Sequence, residues 1–370
     1  MALMKIKEMC FKIGSGATPR GGKEAYFDSG ISLIRSQNVL DFSFSYDGLA
    51  HINEQQAEKL RNVVVESGDV LLNITGDSVA RACIVDDDVL PARVNQHVAI
   101  IRANTEIVLG SYLLYFLQIS KPHLLQLAAG GATRNALTKG MIEDLELDVP
   151  SVEEQEKVVS LINDIQKKIR INKEINDNLA DQAQAIYINM FISHADSTWP
   201  LGHLSDLITI RYGKDHKKLS DGVYPVYGSG GIMRYVERPL YEKESVMIPR
   251  KGTLNNVMYI NEPFWSVDTM FYTEMKQDNI AKFIFHFVKN KDLASLNAGS
   301  AVPSMTSDIL NAMELSIPDP VSLAKFEDTV SSMYLAIQHN TQESKELASF
   351  RDALLPRLMS GEIDVSDIQF

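Results

Sequence analysis

The 370-residue chain carries 36 basic and 48 acidic side chains, a formal net charge of −12, with 45% apolar and 23% charged residues. This balance excludes a disordered or low-complexity chain, and two cysteines, Cys10 and Cys83, are too few for a disulfide framework or a cysteine zinc site. No apolar run approaches the roughly 20 residues of a membrane span, and the start lacks the apolar core of a signal peptide, so a reducing cytoplasmic setting is expected.

The length allows two or three cores. The first strand signals are Val63-Val64-Val65, the turn Ser67-Gly68-Asp69 and the β-branched run Val70-Leu71-Leu72-Asn73-Ile74. Thr75-Gly76-Asp77-Ser78 turns the chain into a partner strand at Ala82–Val85, and Val98–Ile101 forms another. Ser111 is expected to cap a buried helix from Tyr112 to Gln118. After a Gly130-Gly131 loop, Leu145–Val149 alternates as a strand into Pro150. Ser151 with Glu154 three residues later makes a capping box for a long helix reaching about Phe191.

Along that helix Ile162, Ile165, Ile169, Asn172, Asn176, Leu179, Ala183, Ile186 and Met190 recur at alternating steps of three and four, the seam of a coiled coil. Adding 168 gives Val330, Met333, Ile337, Asn340, Ser344, Leu347, Arg351, Leu354 and Leu358, apolar upon apolar and polar upon polar at most steps. Pro150 falls on Pro318 and Leu147 on Leu315, so the chain reads as a duplication. Its second copy follows a break at Asp196–Pro200. Ser245–Ile248 matches the Val70 strand, Val257–Ile260 its partner, Ala281–Lys289 the Tyr112 helix, and Thr306 falls on Thr138.

The expected fold is mixed α/β (α+β). Two duplicated α/β domains, 1–150 and 196–318, are separated by two long helices, 151–195 and 319–363, paired as an antiparallel intramolecular coiled coil, with a tail at 364–370. A helix of 40 residues would span about 60 Å.

Several stretches imitate catalytic motifs and fail. Gly14-Ser15-Gly16 lacks the spacing of a methyl-donor loop. In Asn261-Glu262-Pro263-Phe264, a glutamate replaces the first proline of an amino-methyltransferase loop. Gly21-Gly22-Lys23-Glu24 lacks the first glycine and the hydroxyl of a phosphate loop. Tyr227–Gly231 reads as a loop between strands. Asp86-Asp87-Asp88 is a solvated turn, and His51, His97, His123, His203 and His216 show no metal-ligand spacing, so no metal is expected. No catalytic residue stands out.

The polar loops are more informative. Ser15, Thr18, Arg20, Arg35, Gln37, Asn38, Thr75, Arg81, Asn95, Gln96, His97, Thr133, Arg134 and Asn135 in the first copy are side chains suited to base edges or phosphates. Lys214, Lys217, Lys218, Ser229, Arg250, Lys251, Thr253, Asn255, Ser300 and Ser304 offer the same in the second. Singly, each also fits a solvated loop; their place in corresponding loops of two copies makes them candidate DNA contacts as a set. The acidic total argues against nucleic acid, but its distribution does not. Residues 1–150 hold 14 basic and 18 acidic side chains, and 199–317 hold 13 of each.

At this point the chain resembles the specificity subunits of Type I restriction–modification systems. Gly68-Asp69-Val70-Leu71-Leu72 before Thr75-Gly76 is similar to a signature of that family's first domain. Tyr224–Ile232 followed by Ile248–Thr253 is similar to a common second domain, and Leu354–Ile363 to its C-terminal helix. The resemblance implies two target-recognition domains, each reading half of a bipartite site in double-stranded DNA. It implies paired helices that set the unread spacer and dock two modification (methyltransferase) subunits, with restriction subunits as further partners. It implies no catalysis and no cofactor in this chain: S-adenosylmethionine belongs to the modification subunits, and Mg and ATP to a restriction subunit. A freestanding DNA adenine methyltransferase and a coiled-coil scaffold that binds no DNA are the alternatives.

Overall fold

The computed structural model describes residues 2–19, 21–130, 135–296 and 304–365. The chain divides into two compact units, Met1–Asn172 with Gln342–Phe370, and Lys173–Thr341. Both division points fall inside long helices, so each unit holds part of both.

The first unit runs β1 (Ala2–Lys5), β2 (Cys10–Ser15), β3 (Ile31–Ile34), β4 (Ala50–Ile52), α1 (Glu54–Lys59), β5 (Val64–Val65), β6 (Val70–Asn73), β7 (Ala82–Ile84), β8 (Ala92–Val94), β9 (Val98–Ala103), α2 (Gly110–Ile119), α3 (Lys121–Ala129), α4 (Lys139–Glu143) and β10 (Glu146–Val149), and enters α5 (Val152–Ile188). The second runs β11 (Leu201–His203), α6 (Leu204–Leu207), β12 (Ile208–Tyr212), β13 (Asp221–Gly228), β14 (Gly231–Val236), β15 (Ser245–Pro249), β16 (Met258–Ile260), β17 (Trp265–Ser266), β18 (Met270–Met275), α7 (Ala281–Lys289), α8 (Ser307–Asn311) and β19 (Glu314–Ser316), and enters α9 (Pro320–Met359).

The duplication is visible in the sheets. One four-stranded sheet is ordered β2-β9-β6-β7 in the first unit and β12-β18-β15-β16 in the second. A two-stranded sheet pairs β1 with β10, and β11 with β19. A further sheet sets β3 antiparallel to β4 and parallel to β8, as β13 is antiparallel to β14 and parallel to β17. Among the described strands only β5 lacks a counterpart.

Strand alternation explains why the central strands are continuously apolar. Val70 and Leu72 face the helices α2 and α5, while Leu71 faces the β3-containing sheet with Leu33 and Val94. In the second unit Val246 and Ile248 face the helical side and Met247 faces Val226 and Trp265. Both faces of β6 and β15 are buried, and their polar side chains, Asn73 and Ser245, stand at strand ends.

The signature Gly68-Asp69 is structural. Asp69 is fully buried, receives the Glu66 N–H at 2.8 Å, and takes two hydrogen bonds from Arg102 at 2.8 and 2.9 Å. That paired contact holds the Arg102 guanidinium above its ordinary pKa.

Three helix starts carry side-chain caps at matching places, and one expected cap is replaced. The Ser151–Glu154 box forms, with Ser151 donating N–H (2.9 Å) and O–H (2.7 Å) to the Glu154 carboxylate. Thr138 and Thr306 cap α4 and α8 identically, each hydroxyl accepting an N–H at 3.3 Å. The replaced cap is at α2, which starts at Gly110 rather than being capped by Ser111. The N–H of Leu109, its N-cap, donates instead to the side-chain oxygen of Gln155 on α5 at 2.9 Å. A tertiary contact has replaced a local one.

Within each unit the long helices run antiparallel. In the first, Ile162 shares a core with Leu354, Leu355 and Leu358, while Asn172 donates to Glu343 (2.7 Å) and Ser344 (3.3 Å). In the second, Asn340 donates to Asn176 (3.0 Å), and Tyr187 and Phe191 pack on Phe326 at 6.2 and 5.2 Å. Ile165, Ile169, Leu179, Ile186, Met333, Ile337, Leu347 and Leu354 are half-buried, whereas Ile162, Ala183 and Val330 are fully buried. The seam is deepest where a globule covers it. Asp319 caps α9, held to about 2 by hydrogen bonds from Ser322, with Trp199 donating to it at 3.1 Å. Among the described residues no helix is long and apolar enough to cross a membrane.

Candidate nucleic-acid interface

In the first unit three loops and a returning segment meet at one end of the β2-β9-β6-β7 sheet. Where β2 ends, the Gly16 N–H donates to the Asn95 carbonyl at 3.1 Å. A Cβ on Gly16 would stand 1.7 Å from the Val94 carbonyl oxygen, so only glycine allows this approach. Where β6 ends, the Ile74 N–H donates to the His97 carbonyl (2.9 Å), and Leu137 N–H donates back to Ile74 (2.8 Å). Thr75 forms a bridge with Ala136, and Gly76 N–H donates to the Asn135 carbonyl at 3.3 Å.

These contacts assemble a chain of polar side chains. The Thr18 hydroxyl donates to Gln96 Oε1, and Gln96 Nε2 donates to His97 Nε2 at 3.1 Å. His97 Nε2 is then the acceptor, so Nδ1 carries the proton and donates to Thr75 Oγ1 at 2.5 Å. The His97 backbone N–H is held by Asn95 Oδ1 at 2.9 Å. Thr18 and Gln96 are exposed and Thr75 and His97 half-buried. The Thr75 hydroxyl hydrogen and the second Gln96 N–H remain to be donated outward. This is a preorganised array of donors and acceptors of the kind that reads base edges.

Other candidates have different roles. Asn38 is fully buried, accepts the Arg35 N–H at 3.0 Å and donates to the Ser45 and Asp47 carbonyls at 2.9 and 3.2 Å. It is a loop pin and cannot reach a base. Gln37 and Arg35 fold back on the same loop: Gln37 donates to Asp47 at 3.0 Å, and Arg35 donates to the Gly48 carbonyl and lies 5.5 Å from the Tyr26 ring. Asn95 is buried and works through His97. Arg81 is half-buried, and Ser15 and Asn135 are exposed. Arg20, Thr133, Arg134 and Ser300 lie outside the described residues.

The second unit builds the same corner. Lys214 N–H donates to the Ser266 carbonyl at 2.8 Å, and a Cβ on Gly213 would stand 1.9 Å from the Val267 carbonyl oxygen. Met305 N–H donates to Arg250 at 2.9 Å and Lys251 bridges to Ser304, as Leu137 returns to Ile74 and Ala136 bridges to Thr75. The side chains differ. Arg250 lies 5.3 Å from the ring of Tyr212 and donates to the Asp268 carbonyl at 3.4 Å, while the Tyr212 hydroxyl meets Ser307 Oγ at 3.0 Å. Lys214, Lys217, Lys218, Lys251 and Thr253 are exposed, Ser229 half-buried. Among the described residues this corner gathers cations, whereas the linked side chains of the first, Thr18, Gln96, His97 and Thr75, are polar. Asn255 is another pin: it donates to Asp292 at 3.0 Å and accepts the Ala294 N–H at 3.0 Å, which holds Asp292 below the usual carboxylate range.

Sequence reasoning missed Tyr212 and Ser307. Tyr212 ends β12 beside Gly213, and an aromatic before a glycine at a strand end was the available signal. Phe264 is fully buried against Tyr227, Tyr241 and Tyr272, and burial pushes the Cys83 and Cys10 thiols to about 12. Among the described residues no three His, Cys, Asp or Glu side chains are grouped to hold a metal ion.

The sequence matches the family described as the Type I restriction modification DNA specificity domain, over residues 1–180 and again over 196–342. It is 22% identical to the Type I restriction enzyme MjaIX specificity subunit of Methanocaldococcus jannaschii, across 98% of this chain and 94% of that one. It is 19% identical to the Type I restriction enzyme HindI specificity subunit of Haemophilus influenzae, across 90% and 94%. A crystal structure of the Type I restriction–modification S subunit from M. genitalium shares the fold, with a TM-score of 0.56 at 16% identity over 96% of this chain and 95% of that one.

Proposed function

Because the chain belongs to the Type I restriction–modification DNA specificity family, a non-catalytic recognition component of such systems, we propose that its two units each read one half of a bipartite site in duplex DNA. The observation that carries this is the repeated corner. Two sheets of identical order bring the same loops together, yet line them with different polar side chains. A common frame with divergent lining suits two readers of two different half-sites.

In the first unit Thr18, Gln96, His97 and Thr75 contact base edges. In the second, Arg250 and Lys251 reach bases, and Lys214, Lys217 and Lys218 meet phosphates, which position the duplex without specifying sequence. The long helices set the unread spacer and dock the modification subunits, which bring S-adenosylmethionine. The net charge of −12 fits a subunit that grips DNA together with more basic partners.

The test exchanges residues 199–317 for the same segment of another family member and maps methylated bases in cells carrying the modification subunits. The expected result is one altered half-site, one unchanged, and an unchanged spacer. Alteration of both halves, or of neither, would refute two independent readers. Methylation by the isolated chain supplied with labelled methyl donor would establish a freestanding methyltransferase instead.

A further inference from the structure

Strands β13 and β14 form a two-residue-turn ribbon at the edge of the sheet β14-β13-β17. Edge strands are ordinarily protected by charge, but this one is not. Val223, Ile232, Met233 and Tyr235 expose 77, 39, 60 and 43% of their surface. The single cation in β14, Arg234, turns back to the Leu219 carbonyl (3.0 Å) and Asp221 (2.7 Å).

The ribbon tip belongs to the second unit's cationic corner. Asn256 Nδ2 donates to the Ser229 carbonyl at 2.7 Å, and a Cβ on Gly252 would come within 2.7 Å of Ser229 Oγ. Met233 has a seat there. It lies across Gly228, where an added Cβ would be 2.6 Å from its sulfur and 3.8 Å from Val267 Cγ2. Val267 opens the β17–β18 loop, the counterpart of Asn95-Gln96-His97 in the first unit. Glycine at 228 thus lets a long, flexible thioether reach the reading edge.

Resting on the DNA-reading role above, we propose that the β13–β14 ribbon enters the major groove and that Met233, seated on Gly228, reads the C5-methyl group of a thymine in the second unit's half-site. A two-stranded ribbon fits the width of that groove, and the thymine methyl is the apolar feature it displays. The adjacent Arg250, Lys251 and Lys214 give an apolar tip the cationic surround that duplex DNA needs. Among the described residues the first unit has no such ribbon. There β3 and β4 are joined by the long segment 35–49, and β4 keeps Ala50 and Ile52 inward.

The test uses the full chain assembled with its modification subunits and a random-sequence duplex library. The bipartite site selected by wild type is resynthesised with each thymine replaced in turn by uracil, which lacks only the methyl. One uracil, in one half-site, should weaken wild-type binding about fourfold, the effect of one apolar group of that size. Met233→Ala should bind as weakly to the thymine site as wild type does to that uracil site, and ignore the replacement. Equal uracil sensitivity in Met233→Ala and wild type, or a half-site without any uracil effect, would overturn the proposal. So would loss of subunit assembly with the uracil effect retained, which would make the ribbon a protein-docking edge. Selection of no bipartite site by wild type would instead sink the underlying DNA-reading role.

Discussion

Mild acid should weaken the second unit through one side chain, His286 on α7. Its ring is 1% exposed, stacked on Tyr187 of α5 at 5.6 Å and 19°. Nδ1 lies 2.7 Å from Gln184 Oε1 and Nε2 lies 2.8 Å from the Tyr334 hydroxyl on α9. Gln184 offers an oxygen, so Nδ1 carries the proton and Nε2 accepts from Tyr334, whose own pKa burial raises. Both contacts are satisfied by a neutral ring. A second proton would be stranded near the Lys282 and Lys289 ammonium groups of its own helix, while Glu327 of α9 is already paired with Lys282. Burial first, and Lys289 second, lower the His286 pKa from 6.5 to about 3. The unfolded chain therefore binds a proton between those values that the folded chain refuses. The stability contributed is complete above pH 6.5 and declines as pH falls towards 3. At ~1.4 kcal/mol per pH unit, the loss between pH 7.5 and 5.0 is about 2 kcal/mol. Both tryptophans, Trp199 and Trp265, lie in this unit, so urea unfolding followed by tryptophan fluorescence reports on it alone. His286→Gln keeps a donor and an acceptor but cannot titrate. Its stability should be lower at pH 7.5 yet fall by about 2 kcal/mol less than wild type on acidification. Parallel pH profiles for the two proteins would refute the neutral, buried assignment.

Lys282 is 5% exposed beside Glu327, with Glu244 at 3.6 Å. Lys282→Met should cost about 3–5 kcal/mol by stranding a carboxylate, and adding Glu327→Met should restore most of it; equal stability of single and double variants in urea would contradict the pairing. Gly213→Ala must push the β17–β18 loop away from its 1.9 Å approach, so the second half-site should be degraded in methylation maps while the first survives. Asn38→Ala removes three hydrogen bonds of a buried amide and should cost about 1–3 kcal/mol without changing the recognised sequence. Gln96→Ala should do the reverse, with stability within about 0.5 kcal/mol of wild type and a relaxed first half-site in the methylation map.

Much of this protein is written locally. The duplication, the seam from Ile162 to Met190, the Ser151–Glu154 box and the Thr138 and Thr306 caps depend on spacing along the chain, and spacing survives without three-dimensional knowledge. The buried strands Val70–Asn73 and Ser245–Pro249 were legible for the same reason: continuous β-branched and apolar runs have few other uses. What the sequence could not sort was its own list of polar loop residues. Asn38 and Asn255 have the composition of base readers, but the fold spends their amides on neighbouring backbone and carboxylate groups. Neither Tyr212 nor Met233 has the amide or charged head of the candidate set, yet both stand exposed at the corner proposed to read DNA. Whether a side chain is free to meet a partner depends on contacts between residues far apart in sequence: Gly16 against Val94, Ile74 against His97, Gly228 beneath Met233. Such contacts exist only once the sheets have packed, because a hydrogen-bonding group is free for a partner only after the fold has taken those it needs.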